Sequence, residues 1–149
     1  MSLPVFDDEY FMHEALKEAH KAFEEKEIPV GAVVVCENKI IARAYNQTEK
    51  LTDVTAHAEM LAITSASNYL GTKFLEDCDL FVTLEPCIMC AGALFWARFK
   101  RVIFGASDPK QGFTLKGKDF LHPKTETKAG VCARDASILL TEFFIKLRN

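Results

Sequence analysis

The 149-residue chain contains no apolar run long enough to cross a bilayer, so a helical membrane protein is excluded. It has no internal repeat, no low-complexity tract and no linker-like stretch that would divide it. Its length suits one domain over residues 1–149 with a sizeable core. The opening "MSLPVFDDEYFMHEALK" lacks both a basic start and a compact apolar block, so a secretory leader is not expected. Disulfide staples are not expected either. The five cysteines are odd in number and spread through a chain that can bury a core without them. That is the pattern of a reduced, cytoplasmic protein whose clustered thiols bind metal or do chemistry. Positive charge is scarce until late in the chain. Residues 1–97 carry 7 Lys and Arg against 16 Asp and Glu, a net of −9, whereas residues 98–149 carry 11 against 5, a net of +6. The asymmetry suits an anionic ligand approaching one side of the fold, and equally suits lysines solvated on loops.

What is present is a globular balance, with 49% hydrophobic and 26% charged residues. Phe11, Ala15, Leu16, Ala19 and Phe23 form one stripe of an amphipathic helix over "DEYFMHEALKEAHKAFEEKE", which Pro29 ends. "VGAVVVC" and "KIIARAY" predict a hairpin closed across "ENK". "AHAEMLAITSASNYL" predicts a second helix, with Asp53 or Thr55 as N-cap and Gly71 as stop. A buried strand, "DLFVTL", leads through Pro86 into a short apolar helix, "CIMCAGALFWARF". "RVIFGAS" is a further strand. A long connection with glycines and lysines follows, in which "TETKAGV" leaves another strand open, and "CARDASILLTEFFIKLR" closes the chain as a helix. The alternation predicts a layered α/β domain.

Two short motifs do not look like packing. "TAHAEM" places His57 and Glu59 at the start of the second helix, and "LEPCIMC" places Cys87 and Cys90 in the first turn of the third. Thiols three apart lie on one side of a helical turn, where free N–H groups and the positive end of the helix dipole favour thiolate. Thiolate is the form that binds zinc. Helices that follow parallel strands start at one edge of a sheet, which would let these two starts face each other. Two thiolates and an imidazole then form a three-ligand zinc site with a position left for water, and Glu59 can accept that water's proton. H-x-E with a later P-C-x-x-C is the pattern of zinc deaminases, in which the Glu is not a ligand. Either half alone is weak; the combination at two strand-to-helix junctions is specific. The other candidates have plainer expectations. Cys36, Cys78 and Cys132 sit singly among apolar neighbours as core thiols, and His13 and His20 lie on the outer face of the first helix. His122 either touches substrate or is a loop residue. Phe95 and Trp96 fit core or subunit contact rather than a base-stacking platform, and Phe143 and Phe144, on an apolar helix face, fit core packing.

The chain resembles the cytidine deaminase-like superfamily and, within it, the tRNA-specific adenosine deaminases that convert the wobble adenosine to inosine. The resemblance runs from about Glu9 to Phe144 and rests on "IPVGAVVV", "AYN", "DVTAHAEM", "TLEPCIMCAGAL", "RVIFGASDPKQG", "LHP" and "LLTEFF". It implies a three-layer α/β/α fold with a central mixed sheet of about five strands flanked by helices. It also implies zinc, one per subunit, on His57, Cys87 and Cys90, with Glu59 as proton shuttle. Asn46 would hydrogen-bond the purine, Asp108 would lie near the target nucleotide, and Phe144 would line the pocket. A homodimer binding a tRNA anticodon loop across both subunits is implied too, and would suit the basic C-terminal part. Val54, Ser107, "KQGFTLKG", Asp135, Ala136 and the "FFIKLRN" tail depart from the family pattern, at positions that bear on RNA and pocket rather than on zinc.

Three alternatives remain beside that reading. "LFWAR" is similar to guanine deaminases of the same superfamily, so a free-base or nucleoside deaminase acting on guanine or a cytosine compound is the nearest. A catalytically silent, zinc-stabilised RNA-binding subunit would have no need for Glu59. A thiol redox protein using Cys87 and Cys90 would leave His57 and Glu59 unexplained.

Overall fold

The structure, a computed structural model, describes residues 6–117 and 119–149. Positions 1–5 and 118, which belong to the N-terminal stretch and to the expected long connection, lie outside it. Five strands form one mixed sheet in the order β2-β1-β3-β4-β5. They are β1 (Gly31–Cys36), β2 (Lys39–Tyr45), β3 (Cys78–Leu84), β4 (Arg101–Ala106) and β5 (Glu126–Lys128). β1 pairs antiparallel with both β2 and β3, while β3, β4 and β5 are mutually parallel, so β2 runs the same way as β3. Helices α1 (Asp8–Glu24) and α4 (Ala133–Arg148) pack on one face of this sheet, and α2 (Ala58–Leu70) and α3 (Ile88–Ala97) on the other. The layered α/β/α fold with about five strands is therefore the one observed.

Strand periodicity builds the two cores. Successive side chains of a strand point to opposite faces. Ala32 and Val34 of β1, Leu80 and Val82 of β3, and Val102 and Phe104 of β4 accordingly pack beneath α2 and α3. Val33, Val35, Phe81 and Ile103 meet Phe11, Met12 and Ala15 of α1 on the other face. Strands covered on both faces read as continuous apolar runs, which is why "GAVVV" and "LFV" do not alternate. Burying each of the valine, leucine, isoleucine and phenylalanine side chains here contributes about 1.5–3 kcal/mol.

Element ends differ from expectation in ways that matter locally. α1 ends at Glu24 rather than near Glu27, because Glu25 already leaves helical geometry and Lys26 is left-handed at φ 63°. Glu27 is freed to turn inward. The hairpin turn is Glu37-Asn38, both at positive φ (52° and 62°), the backbone that matches strand twist in two-residue turns. α2 is capped by His57 and not by Asp53 or Thr55; Asp53 instead folds back on Thr55, accepting from its backbone N–H (2.8 Å) and its hydroxyl (2.7 Å). α3 is shorter than expected, since Arg98 turns left-handed at φ 60°. Pro86 lies one residue before the N-cap Cys87. The open question at "TETKAGV" resolves as β5, an edge strand whose three residues are all exposed. Among the described residues no helix is long and apolar enough to cross a membrane.

α1 touches β1 so closely that only glycine fits at position 31. A Cβ there would collide with the backbone carbonyl of Ala15 and the backbone N–H of Ala19. Backbone atoms of a helix cannot swing aside as a flexible side chain can. Gly31→Ala should therefore cost about 3 kcal/mol, the upper part of the overpacking range, or more. Chemical denaturation would show this as a lower midpoint with an unchanged slope; an unchanged midpoint would contradict the packing.

Candidate functional site

Because β2 and β3 run in the same direction, the helices that follow them start at the same edge of the sheet. Small residues bring those starts together: Ala58, Ala62 and Ala66 of α2 and Ala91 of α3 are fully buried where the helices meet each other and the sheet. His57 is the N-cap of α2 and Cys87 the N-cap of α3, both with extended backbone. Their carbonyls accept the first intrahelical bonds, from Leu61 N (3.1 Å) and Ala91 N (2.8 Å). Their side chains do not cap, and reach across the gap instead. His57 Nδ1 lies 3.8 Å from Cys87 Sγ and 3.5 Å from Cys90 Sγ. The three donor atoms lie within 4.8 Å of one another. Cys90 is buried, and His57 and Cys87 are half-buried.

The protonation chemistry suits a cation. The Cys87 thiol is pulled down to about 4 because Cys90 donates to its thiolate, with His57 adding a second hydrogen bond. Cys90 is pushed up, because it is that donor and is buried beside Glu59. His57 is raised by the same thiolate. Two sulfurs and one imidazole nitrogen at this spacing fit zinc, whose Zn–S and Zn–N bonds are ~2.3 and ~2.0–2.1 Å. Binding there would release the proton that Cys90 otherwise keeps.

Glu59, in the first turn of α2, is 4% exposed, and burial pushes its carboxyl up to about 6. It interacts with the Cys90 thiol and with its own backbone N–H. His57, Glu59 and Cys87 border one cavity of about 920 Å³, and Asn46, Asp108 and Phe144 border the same cavity. Asn46 donates its side-chain N–H to the Ile28 carbonyl (3.2 Å), and its Oδ1 is buried with no partner among the described residues. Asp108 is half-buried, and its Oδ1 accepts from Lys110 N and Gln111 N (3.0 Å each), so this oxygen shapes a turn at the rim. Phe144 stands at the rim, 38% exposed, whereas Phe143 is buried against the Phe23 ring. His122 does not border the cavity; it packs beside Phe95, and its Nδ1 accepts from Lys124 N.

Two buried carboxylates that sequence reasoning passed over hold the cavity walls. Glu85, immediately before Pro86, accepts from Asp108 N (3.0 Å), Thr114 N (3.0 Å) and Thr114 Oγ1 (2.6 Å). A Cβ on Gly112 would strike that carboxylate, so glycine lets the loop close over it. Glu27 accepts from Glu49 N (3.0 Å) and Lys50 N (2.7 Å), fixing the loop between Asn46 and His57. Nothing in composition separates these two from the surface glutamates; the one available signal was Glu85 lying between an apolar strand and Pro86. Lys110 and Arg148 add two cations at the cavity.

Residues 6–106 match the cytidine and deoxycytidylate deaminase zinc-binding region. The chain belongs to that deaminase family. It is 50% identical to a tRNA-specific adenosine deaminase of Aquifex aeolicus over 95% of this chain and 96% of the other. A solved tRNA:A34 deaminase, studied for A-to-I editing at the wobble position of transfer RNA, superposes with a TM-score of 0.82 at 41% identity, covering 87% of this chain and 98% of that one. A guanine deaminase from Bacillus subtilis superposes less completely, with a TM-score of 0.66 at 40% identity over 68% of this chain and 66% of that one. In this deaminase the family's zinc-binding region contains His57, Cys87 and Cys90 as the candidate zinc ligands.

The low Cys87 value has a direct consequence. At pH of about 6 the metal-free protein should lose Cys87 to iodoacetamide well before Cys90, since the thiolate reacts and the thiol does not. Zinc loading should protect both thiols. Mass spectrometry of the alkylated peptides would show equal labelling if the asymmetry were absent.

Proposed function

We propose that the chain is a zinc-dependent hydrolase that deaminates adenosine to inosine at the wobble position of tRNA, working as a single deaminase domain over residues 1–149. The observation that carries this reading is a buried proton-carrying carboxylate, Glu59, beside a His/Cys/Cys donor set at a cavity wide enough for a nucleobase. The choice of tRNA over other deaminase substrates is supported by the near-complete overlap with tRNA-specific relatives. His57, Cys87 and Cys90 would hold zinc, which would supply the Lewis acidity that activates water near neutral pH.

The protein's own residues handle the protons. Glu59 accepts one from the attacking water and passes it to the ring nitrogen beside C6. It then takes the second proton of that oxygen and delivers it to the departing amino group, the C6–N bond breaks, and ammonia leaves with inosine as product. A buried carboxyl with a raised pKa suits a group that must be base and then acid. Asn46 presents Oδ1 as an acceptor, and so addresses an N–H or O–H of the substrate. Phe144 offers an aromatic ring at the cavity mouth, and Asp108 positions the rim beside the target nucleotide. Lys110 and Arg148 suit the phosphates flanking a flipped base. An adenosine in an anticodon loop turns outward at modest cost, because no duplex partner holds it.

The working unit is a homodimer in the cytoplasm with one catalytic zinc per subunit. Ile88 and Trp96, both on α3, are 48% and 70% exposed, apolar surface that a second copy would cover.

Inosine formation at the wobble position of an adenosine-bearing tRNA transcript tests the reading, with guanine, adenosine and cytidine assayed beside it. The zinc-loaded wild type should edit the tRNA alone. Glu59→Gln should retain one zinc while turnover falls by about 10⁴-fold, the upper end for a lost general acid–base group. Ammonia from guanine without tRNA editing would move the protein to the guanine branch. Editing by zinc-replete Glu59→Gln would remove the shuttle.

A further inference from the structure

Outside the cavity, on the opposite side of the sheet, a second set of unlike donors converges. Glu9 and His13 lie one helical turn apart on α1, the i,i+4 spacing that stacks two side chains on one face. His13 Nε2 lies 3.8 Å from Glu9 Oε1 and 3.8 Å from the Sγ of Cys132, which arrives from 119 residues away in sequence. The three donor atoms fall within 4.8 Å of one another, as do those of His57, Cys87 and Cys90.

Cys132 is placed there at a conformational cost. It is the N-cap of α4, a position where a serine or aspartate side chain would normally accept a backbone N–H, and its side chain makes no capping bond. Its backbone is left-handed, at φ 55° and ψ 32°, a region that residues other than glycine and asparagine seldom enter. It is half-buried rather than the core thiol expected from its apolar neighbours, and its sulfur faces His13. Asp7 and Asp135 border the same surface pocket as Glu9 and Cys132. Asp8 borders it too, but is already held by Arg101 and Lys128.

We propose that Glu9, His13 and Cys132 form a second zinc site, separate from the catalytic one, that ties α1 to the start of α4. One thiolate, one imidazole and one carboxylate are zinc donors, and the mixed set disfavours magnesium and calcium, which take oxygen only. Asp135, which borders the same pocket, or water would supply the fourth donor. α4 carries Phe144 and Arg148 to the cavity at its far end, so the clamp would hold the helix that closes the active site.

Cobalt provides the probe. Protein already carrying one equivalent of zinc is titrated with Co²⁺, which takes zinc's ligands and reports a sulfur donor as a thiolate-to-cobalt charge-transfer band. A second, saturable equivalent with that band is expected. Cys132→Ser should abolish the band, and His13→Ala should weaken the second equivalent by at least about tenfold, while both retain the first zinc. Circular dichroism would verify that both variants fold. Absence of a second equivalent, or its persistence with the same band in Cys132→Ser, overturns the site.

Discussion

The approach of His57 Nδ1 to the two sulfurs of α3, at 3.5 and 3.8 Å, is the contact on which the remainder of the site depends. It is a product of topology before it is a product of side chains. β1 lies between β2 and β3 and is antiparallel to both, which forces its two neighbours to run alike. Their helices therefore leave from one edge. Small residues on α2 and α3 then let two helix starts come close enough for three donors to meet. Each start contributes partial positive charge and free N–H groups, so thiolate is favoured there.

Around that contact, three buried glutamates divide the work by environment. Glu59 has few hydrogen-bond donors and a raised pKa, which leaves its proton transferable. Glu27 and Glu85 are equally buried, but each accepts two or three hydrogen bonds from loop groups. Charge-assisted bonds of this type contribute about 1.5–3 kcal/mol each against the cost of burying the carboxylate. They fix the loops that carry Asn46 and Asp108, so the polar groups at the cavity are positioned from behind. The same residue type anchors loops in two places and stands nearly free of donors at the cavity in a third.

The parts legible in the sequence were those where residue type and local pattern agree. The continuous apolar runs "GAVVV" and "LFV" mark the buried strands, and H-x-E with P-C-x-x-C stands at strand-to-helix junctions where thiolate and imidazole have a reason to be. What stayed hidden depended on contacts distant in sequence. β5 carries no apolar pattern, because all three of its residues are exposed and its pairing with β4 is made by backbone alone. That His57 caps its own helix is hidden as well, since its side chain makes no capping bond and reaches another element. Cys132 looked like a core thiol because its neighbours are apolar, and nothing local announces a left-handed backbone. Glu27 and Glu85 resemble surface charges until the loops that fold over them are known.

Zinc K-edge X-ray absorption on protein loaded with one equivalent of zinc tests the central claim most directly, because it reads the donor atoms themselves. The account predicts two sulfurs at ~2.3 Å and a nitrogen at ~2.0–2.1 Å, with a light-atom donor completing four-coordination. A shell of nitrogen and oxygen only, or one with a single sulfur, would contradict the convergence of His57, Cys87 and Cys90 on one metal.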